Sequence, residues 1–139
     1  MGIWRIVLVP VLLATLSTSM GPAQAEIAPK RVLVELREQG GFAGLNDRVI
    51  VYGDGCARLT RRTGPAVRTC LTAKERRTLR GHLGRLKLGR SQPPPRGADF
   101  IAYTLVHDGR RVTAYSLPAT WRPVVRHLEK IMARYRTSG

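Results

Sequence analysis

The stretch Gln39-Gly40-Gly41-Phe42-Ala43-Gly44-Leu45 lies between two segments whose composition is typical of strands. Three glycines surround one large aromatic side chain, and glycine adopts positive φ at no steric cost. Such a segment can therefore turn or bulge sharply. The aromatic side chain either folds back into the core or projects toward a partner, and the sequence leaves both outcomes open. We take this loop as the leading candidate site for binding a partner, with the residues Gly40, Gly41, Phe42, Ala43, Gly44 and Leu45.

The segments on either side of the loop predict strands. Residues 31–38 and 48–52 combine β-branched, aromatic and charged residues in the manner of half-buried strands. The pair Asp54-Gly55 follows them and predicts a tight hairpin turn. Pairing across this turn and the next one gives one apolar face, which is expected to carry Ile50 opposite Leu59, Tyr52 opposite Ala57, and Val67 opposite Leu59.

The two cysteines, Cys56 and Cys70, predict a disulfide bond. The segments 56–62 and 65–71 have the composition of two strands around a turn at Thr63 and Gly64. A hairpin that is symmetric about Thr63 places the two cysteines directly opposite each other, within bridging distance. We expect a structural bridge, on a face of the hairpin that is exposed to solvent and also carries Arg58 and Arg68.

The rest of the chain predicts two helices and a second hairpin. Thr72 and Glu75 form a capping box that starts a helix with an apolar face, and the opposite face bears Arg76, Arg77, Arg80 and Arg85. Residues 100–107 and 111–117 alternate around an Asp-Gly turn, and residues 120–135 show helical periodicity. The plan is an α+β fold: an antiparallel sheet of about five to six strands built from hairpins, with two helices packed on one face.

The first 25 residues have the features of a secretory signal peptide. Arg5 provides a positive start, an apolar run follows, and Ala23-Gln24-Ala25 is a cleavage signal of small residues. The apolar run is shorter than the roughly 20 residues that span a bilayer, so no membrane span is expected after cleavage. We predict a secreted, extracellular protein, with a signal peptide at 1–25 and a single domain at 26–139.

The sequence offers little catalytic chemistry. Its three histidines, His82, His107 and His127, lie in separate predicted elements, and no metal-binding or nucleophile motif is present. Acidic side chains are few and scattered. We therefore expect no enzymatic activity, no metal and no cofactor.

The chain is strongly basic, with 24 lysines and arginines against 9 acidic residues and a net charge of +15. Such a charge raises the encounter rate with any acidic partner, but it also keeps an exported protein soluble. The aromatic residues fall at core spacing instead of among the arginines, which argues against stacking on nucleic acid. We expect no nucleic-acid partner. We expect the arginine face to be solvated, and an anionic cell-surface polymer is the alternative partner for it.

Several of these motifs together resemble the emfourin family, small protein inhibitors of protealysin and related thermolysin-like metalloproteases. The similarity runs from the strand that enters Gly40-Gly41-Phe42-Ala43-Gly44 to residues 100–110, which contain Tyr103-Thr104 and Asp108-Gly109-Arg110. It continues from Leu117-Pro118 through Trp121-Arg122-Pro123-Val124-Val125. The resemblance implies an α+β domain that blocks an extracellular metalloprotease without a cofactor, and residues 40–45 as the contacts.

Two hypotheses about function result. In the first, the protein inhibits a secreted thermolysin-like metalloprotease through residues 40–45. In the alternative, it is a basic extracellular module without inhibitory activity, and Arg76, Arg77, Arg80 and Arg85 bind an anionic envelope polymer or an acidic protein.

Overall fold

The computed structural model of the chain describes residues 30–97 and 99–135. The predicted signal peptide at 1–25 lies outside these residues. The described part folds into one antiparallel sheet of six strands and two helices, which confirms the predicted α+β class. The elements in chain order are β1 (Val32–Gly40), β2 (Leu45–Tyr52), β3 (Cys56–Thr60), β4 (Val67–Cys70), α1 (Ala73–Leu83), β5 (Ile101–His107), β6 (Arg110–Ala114) and α2 (Arg122–Arg134).

The strand order is β4-β3-β2-β1-β5-β6, so β1 lies in the middle of the sheet. Its Leu36 is fully buried and pairs with Val49 on one side and Leu105 on the other. The helices cover this same face, because Leu79 of α1 and Leu128 of α2 belong to the same buried cluster. The sheet therefore has one face in the core and one open face, and both predicted helices pack on the core face.

The register of β2 differs from the prediction. Val49 lies opposite Leu59, and Val51 lies opposite Ala57. The predicted partners Ile50 and Tyr52 therefore belong to the open face instead of the apolar face. The cause is a three-residue turn at 53–55 in place of a two-residue turn: Gly55 has φ 84°, and its N–H donates to the Tyr52 carbonyl at 2.9 Å. A shift of one residue moves every side chain of a strand to the other face.

Two further local predictions, the disulfide bond and the capping box, agree with the structure, whereas β3 and β6 end earlier than predicted, at Thr60 and Ala114. Cys56 pairs with Cys70 in the β3–β4 register, and the two form a disulfide bond. The capping box is present, since the Thr72 hydroxyl accepts from the Glu75 N–H at 3.2 Å and the Glu75 carboxylate accepts from the Thr72 N–H at 2.8 Å. Neither described helix is long and apolar enough to cross a membrane.

The proline-rich connection between α1 and β5 lies along the edge of β6. The Gln92 N–H donates to the Thr113 carbonyl at 2.9 Å, and the Thr113 N–H donates to the Ser91 hydroxyl at 3.1 Å. The Gln92 side-chain oxygen accepts from the Tyr115 N–H at 2.8 Å. These contacts satisfy backbone groups that an edge strand would otherwise present to another chain.

Candidate functional site

The candidate loop joins the two longest strands of the sheet. Gly40 and Leu45 form the last pair of the β1–β2 ladder, and residues 41–44 form the turn, which we call the Phe42 loop. The Gly44 N–H donates to the Gly41 carbonyl at 2.9 Å and closes the turn. Gly41 and Gly44 have φ of 71° and 57°, a backbone conformation that favours glycine. The glycines thus set the path of the loop.

Contacts from two distant segments hold the loop in place. On one side, the Gly41 N–H donates to the Phe100 carbonyl at 3.2 Å. A Cβ on Gly40 would lie 2.4 Å from that same carbonyl oxygen, so only glycine fits there. On the other side, the Arg62 guanidinium donates through Nη1 to the Ala43 carbonyl at 3.3 Å. The loop is therefore braced both by the start of β5 and by the segment after β3.

Phe42 points away from the protein. Its side chain is 95% exposed, whereas a large apolar side chain normally contributes to the core. Phe100, whose carbonyl supports the loop, is itself 45% exposed. Of the two orientations that the sequence left open, the structure shows the outward one. Together with Ala43, which is also exposed, these residues place apolar surface at one end of the sheet.

A buried carboxyl group, Glu38, lies close in sequence to the base of this loop, and it interacts with a half-buried one on α2. Glu38, two residues before Gly40, is only 7% exposed and interacts with Glu129 of α2. Burial, together with the negative charge and hydrogen bond of Glu129, raises the pKa of Glu38 to about 7. A hydrogen bond between two carboxyl groups requires a proton on one of them. Among the described residues, no group hydrogen-bonds to Glu38 Oε1.

Tyr103 lies beside this pair because it is opposite Glu38 in the β1–β5 register. Its pKa is raised, first by burial and then by the charges of Glu38 and Glu129. In the sequence the acidic residues are scattered, so this cluster was not predicted. The alternation of side chains along β1 could have predicted that Glu38 is buried. Val34, Leu36 and Glu38 are two residues apart and lie on the same face of the strand, which is the core face.

The structure also brings together two histidines that the sequence placed in separate elements. His82 of α1 and His127 of α2 contact edge to face, with ring centroids 5.8 Å apart. Burial lowers the pKa of both rings, aided by neighbouring positive charges. Nε2 of His127 also lies 3.1 Å from the Glu75 carbonyl, which fixes the ring between the helices. We interpret this pair as a packing contact.

The four arginines of the predicted basic surface are exposed, but the prediction that all of them lie on the helix was wrong for Arg85, because α1 ends at Leu83 and Gly84 caps it. None of the four arginines forms an ion pair with a described residue, although the acidic group of Glu75 on the same helix pairs with Arg134. The Arg76 side chain lies over Gly55, where a Cβ would approach its Cδ to 2.4 Å. The remaining members of the surface are Arg77, Arg80 and Arg85.

Within residues 30–97 and 99–135, no group of three or more histidine, cysteine, aspartate or glutamate side chains is placed to hold a metal ion. Among the described residues, the feature that stands out is the exposed aromatic side chain of Phe42 on a braced loop. In comparisons with known proteins, no family model, no curated protein and no solved structure matches this chain.

Proposed function

We propose that this protein is a secreted inhibitor of thermolysin-like metalloproteases and that it blocks the active site with the Phe42 loop. The observation that supports this proposal best is the 95% exposure of Phe42 at the tip of a loop held by hydrogen bonds on both sides. Buried aromatic anchors supply much of the binding energy in protein interfaces. The resemblance to emfourin-like inhibitors supplies the class of target.

The loop combines two properties that an inhibitor needs. It offers a large apolar side chain to a hydrophobic pocket, and its backbone loses little freedom on binding because it is already ordered. The turn closed between Gly41 and Gly44 also opposes the extended conformation that a substrate segment adopts in a protease cleft. We therefore expect the loop to bind without being cleaved.

The proposal includes export from the cell. The Cys56–Cys70 disulfide fits an oxidising compartment, where such bonds form and persist. The signal-peptide features of residues 1–25 would direct the protein to secretion. A target in the same compartment is then a secreted protease.

The direct test is to mix the oxidised protein, residues 26–139, with a panel of secreted metalloproteases that includes thermolysin. Hydrolysis of a fluorogenic peptide is followed at increasing inhibitor concentration, and intact mass is measured afterwards. We expect stoichiometric inhibition of at least one protease, with the loop uncut. Full activity of every protease in the presence of the folded, intact inhibitor would contradict the proposal.

Arg62→Ala is expected to weaken inhibition about threefold to fivefold. The substitution removes the hydrogen bond to the Ala43 carbonyl, and a neutral acceptor bonded to a charged donor at a partly exposed site is worth about 1 kcal/mol. The measurement is the inhibition constant, with Arg90→Ala as a control that removes an exposed arginine elsewhere. An equal effect of both substitutions would show that charge, and not loop support, is responsible.

One observation favours the alternative function, a basic module for an anionic polymer or an acidic protein. The four arginines of the basic surface, three on α1 and Arg85 just after it, are exposed and form no ion pair with a described residue. Binding through this surface would fall steeply with salt and survive loss of Phe42. An inhibitor that acts through Phe42 would show the reverse pattern.

A further inference from the structure

The open face of the sheet carries a row of side chains in register across all six strands. No described helix covers this face, because both helices pack on the other one. The row contains three arginines, one glutamate and two aliphatic residues. In spatial order, its members are Arg68, Arg58, Ile50, Glu35, Val106 and Arg111.

The positive charges on this face differ in whether they have partners. Arg48 pairs with Glu35 at 2.8 Å, and Arg37 donates to the Asn46 side chain at 3.4 Å. In contrast, Arg58 and Arg68 have neither an ion pair nor a side-chain hydrogen bond within the described part of the chain. The two guanidinium groups at the β3–β4 end are therefore not neutralised by these residues.

Arg58 and Arg68 lie directly opposite each other in the β3–β4 register. Side chains in that position have Cβ atoms about 5 Å apart, and two like charges there repel each other. The Cys56–Cys70 disulfide, two residues away on both strands, ties the strands together and keeps the pair at this separation. An anion between the two guanidinium groups would remove the repulsion.

A cavity of about 530 Å³ opens beside this pair. Tyr52 and the disulfide supply apolar wall, and Arg58 and Arg68 supply charge. Lys30 also lines the cavity, but Asp54 binds its ammonium group at 2.8 Å. The cavity therefore combines two cations that have no carboxylate partner with a half-buried apolar surface. A simple inorganic ion would not need the apolar surface.

We propose that this cavity binds a phosphate ester, with its phosphate group held between Arg58 and Arg68 and its organic part against Tyr52 and the disulfide. Planar guanidinium forks bind phosphate oxygens in pairs, and a tetrahedral dianion has enough acceptors for two forks at once. A single carboxylate fills only one such fork. The proposal is independent of protease inhibition, because the Phe42 loop is not part of the cavity.

The test uses isothermal titration calorimetry with glycerol 3-phosphate and, separately, flotation with vesicles that contain phosphatidic acid, whose headgroup is a phosphate monoester, or only phosphatidylcholine. The double substitution Arg58→Gln, Arg68→Gln is expected to weaken binding of glycerol 3-phosphate roughly tenfold or more, because each arginine donates charge-assisted hydrogen bonds. Both side chains are exposed, so the variant is expected to keep its fold and its disulfide.

The matched control is Arg122→Gln, Arg126→Gln, which removes the same charge from exposed positions of α2 on the other side of the sheet. Equal weakening by both double substitutions, or no binding by the unsubstituted protein, would overturn the proposal. Vesicle binding that depends on Arg58 and Arg68 would identify a lipid headgroup as the source of the phosphate ester. Binding of glycerol 3-phosphate without vesicle binding would identify a soluble ester. Phe42→Ala is expected to leave the binding of glycerol 3-phosphate unchanged, because Phe42 does not line the cavity.

Discussion

Phe42→Ala is expected to weaken protease inhibition by about 2 kcal/mol or more, which is roughly a 30-fold rise in the inhibition constant. The free protein gains almost nothing from this side chain, since 95% of its surface is in contact with water. In the complex the ring is expected to fill a hydrophobic pocket, so the substitution removes contacts that exist only when the protease is bound. The free energy of unfolding should therefore change by less than about 0.5 kcal/mol.

The matched control is Val32→Ala, at the other end of β1. Val32 is also an exposed apolar residue, at 39%, but it lies far along the strand from the loop. This substitution should leave inhibition unchanged. Phe42→Leu should lose less than Phe42→Ala, because leucine still offers a branched apolar side chain. Inhibition by Phe42→Ala equal to that of the unsubstituted protein would exclude Phe42 as the anchor and direct attention to the arginines of the basic surface.

For the Phe42 loop, the sequence predicted the position of the turn but not the orientation of the Phe42 side chain. The glycine pattern located the turn because positive φ is a local property of a few residues. The direction of Phe42 depends on contacts that come from elsewhere in the chain: the Phe100 carbonyl, about 60 residues later, and the Arg62 guanidinium. Local sequence does not contain that information, so both orientations were open.

The predicted register of β2 was wrong for a different reason. The same Asp-Gly pair serves two-residue and three-residue turns. Its glycine has positive φ in both turns of this protein, but Asp108 has φ 49° in the two-residue turn, whereas Asp54 in the three-residue turn does not have positive φ. At the Asp108-Gly109 turn, where the strands pair as predicted, Leu105 lies opposite Val112. An error of one residue in the turn was enough to exchange Ile50 for Val49 and Val51 in the core.

Glu38→Gln is expected to stabilise the protein by about 2 kcal/mol at pH 8 and by almost nothing at pH 4.5. The pKa of Glu38 is raised from 4.5 in the unfolded chain to about 7 in the folded one. Between these values the folded state binds more protons than the unfolded state, so stability falls as pH rises through this window. The shift alone corresponds to about 3 kcal/mol, and residual solvent screening of the ionised group reduces that figure.

Glutamine keeps the size and hydrogen-bonding capacity of protonated glutamate but cannot ionise, so it removes the charge repulsion with Glu129. Stability is measured by denaturant unfolding at several pH values, with fluorescence from Trp121, the only tryptophan of residues 26–139 and fully buried. The difference between variant and unsubstituted protein isolates the contribution of Glu38 from those of all other titrating groups.

Asp99→Asn, which removes an exposed carboxyl group, is the control and should give a small, pH-independent difference. Parallel stability curves for Glu38→Gln and the unsubstituted protein would show that Glu38 is already ionised at pH 5. The fold would then not raise the pKa of Glu38, because a pKa that is equal in the folded and unfolded states makes no pH-dependent contribution to stability.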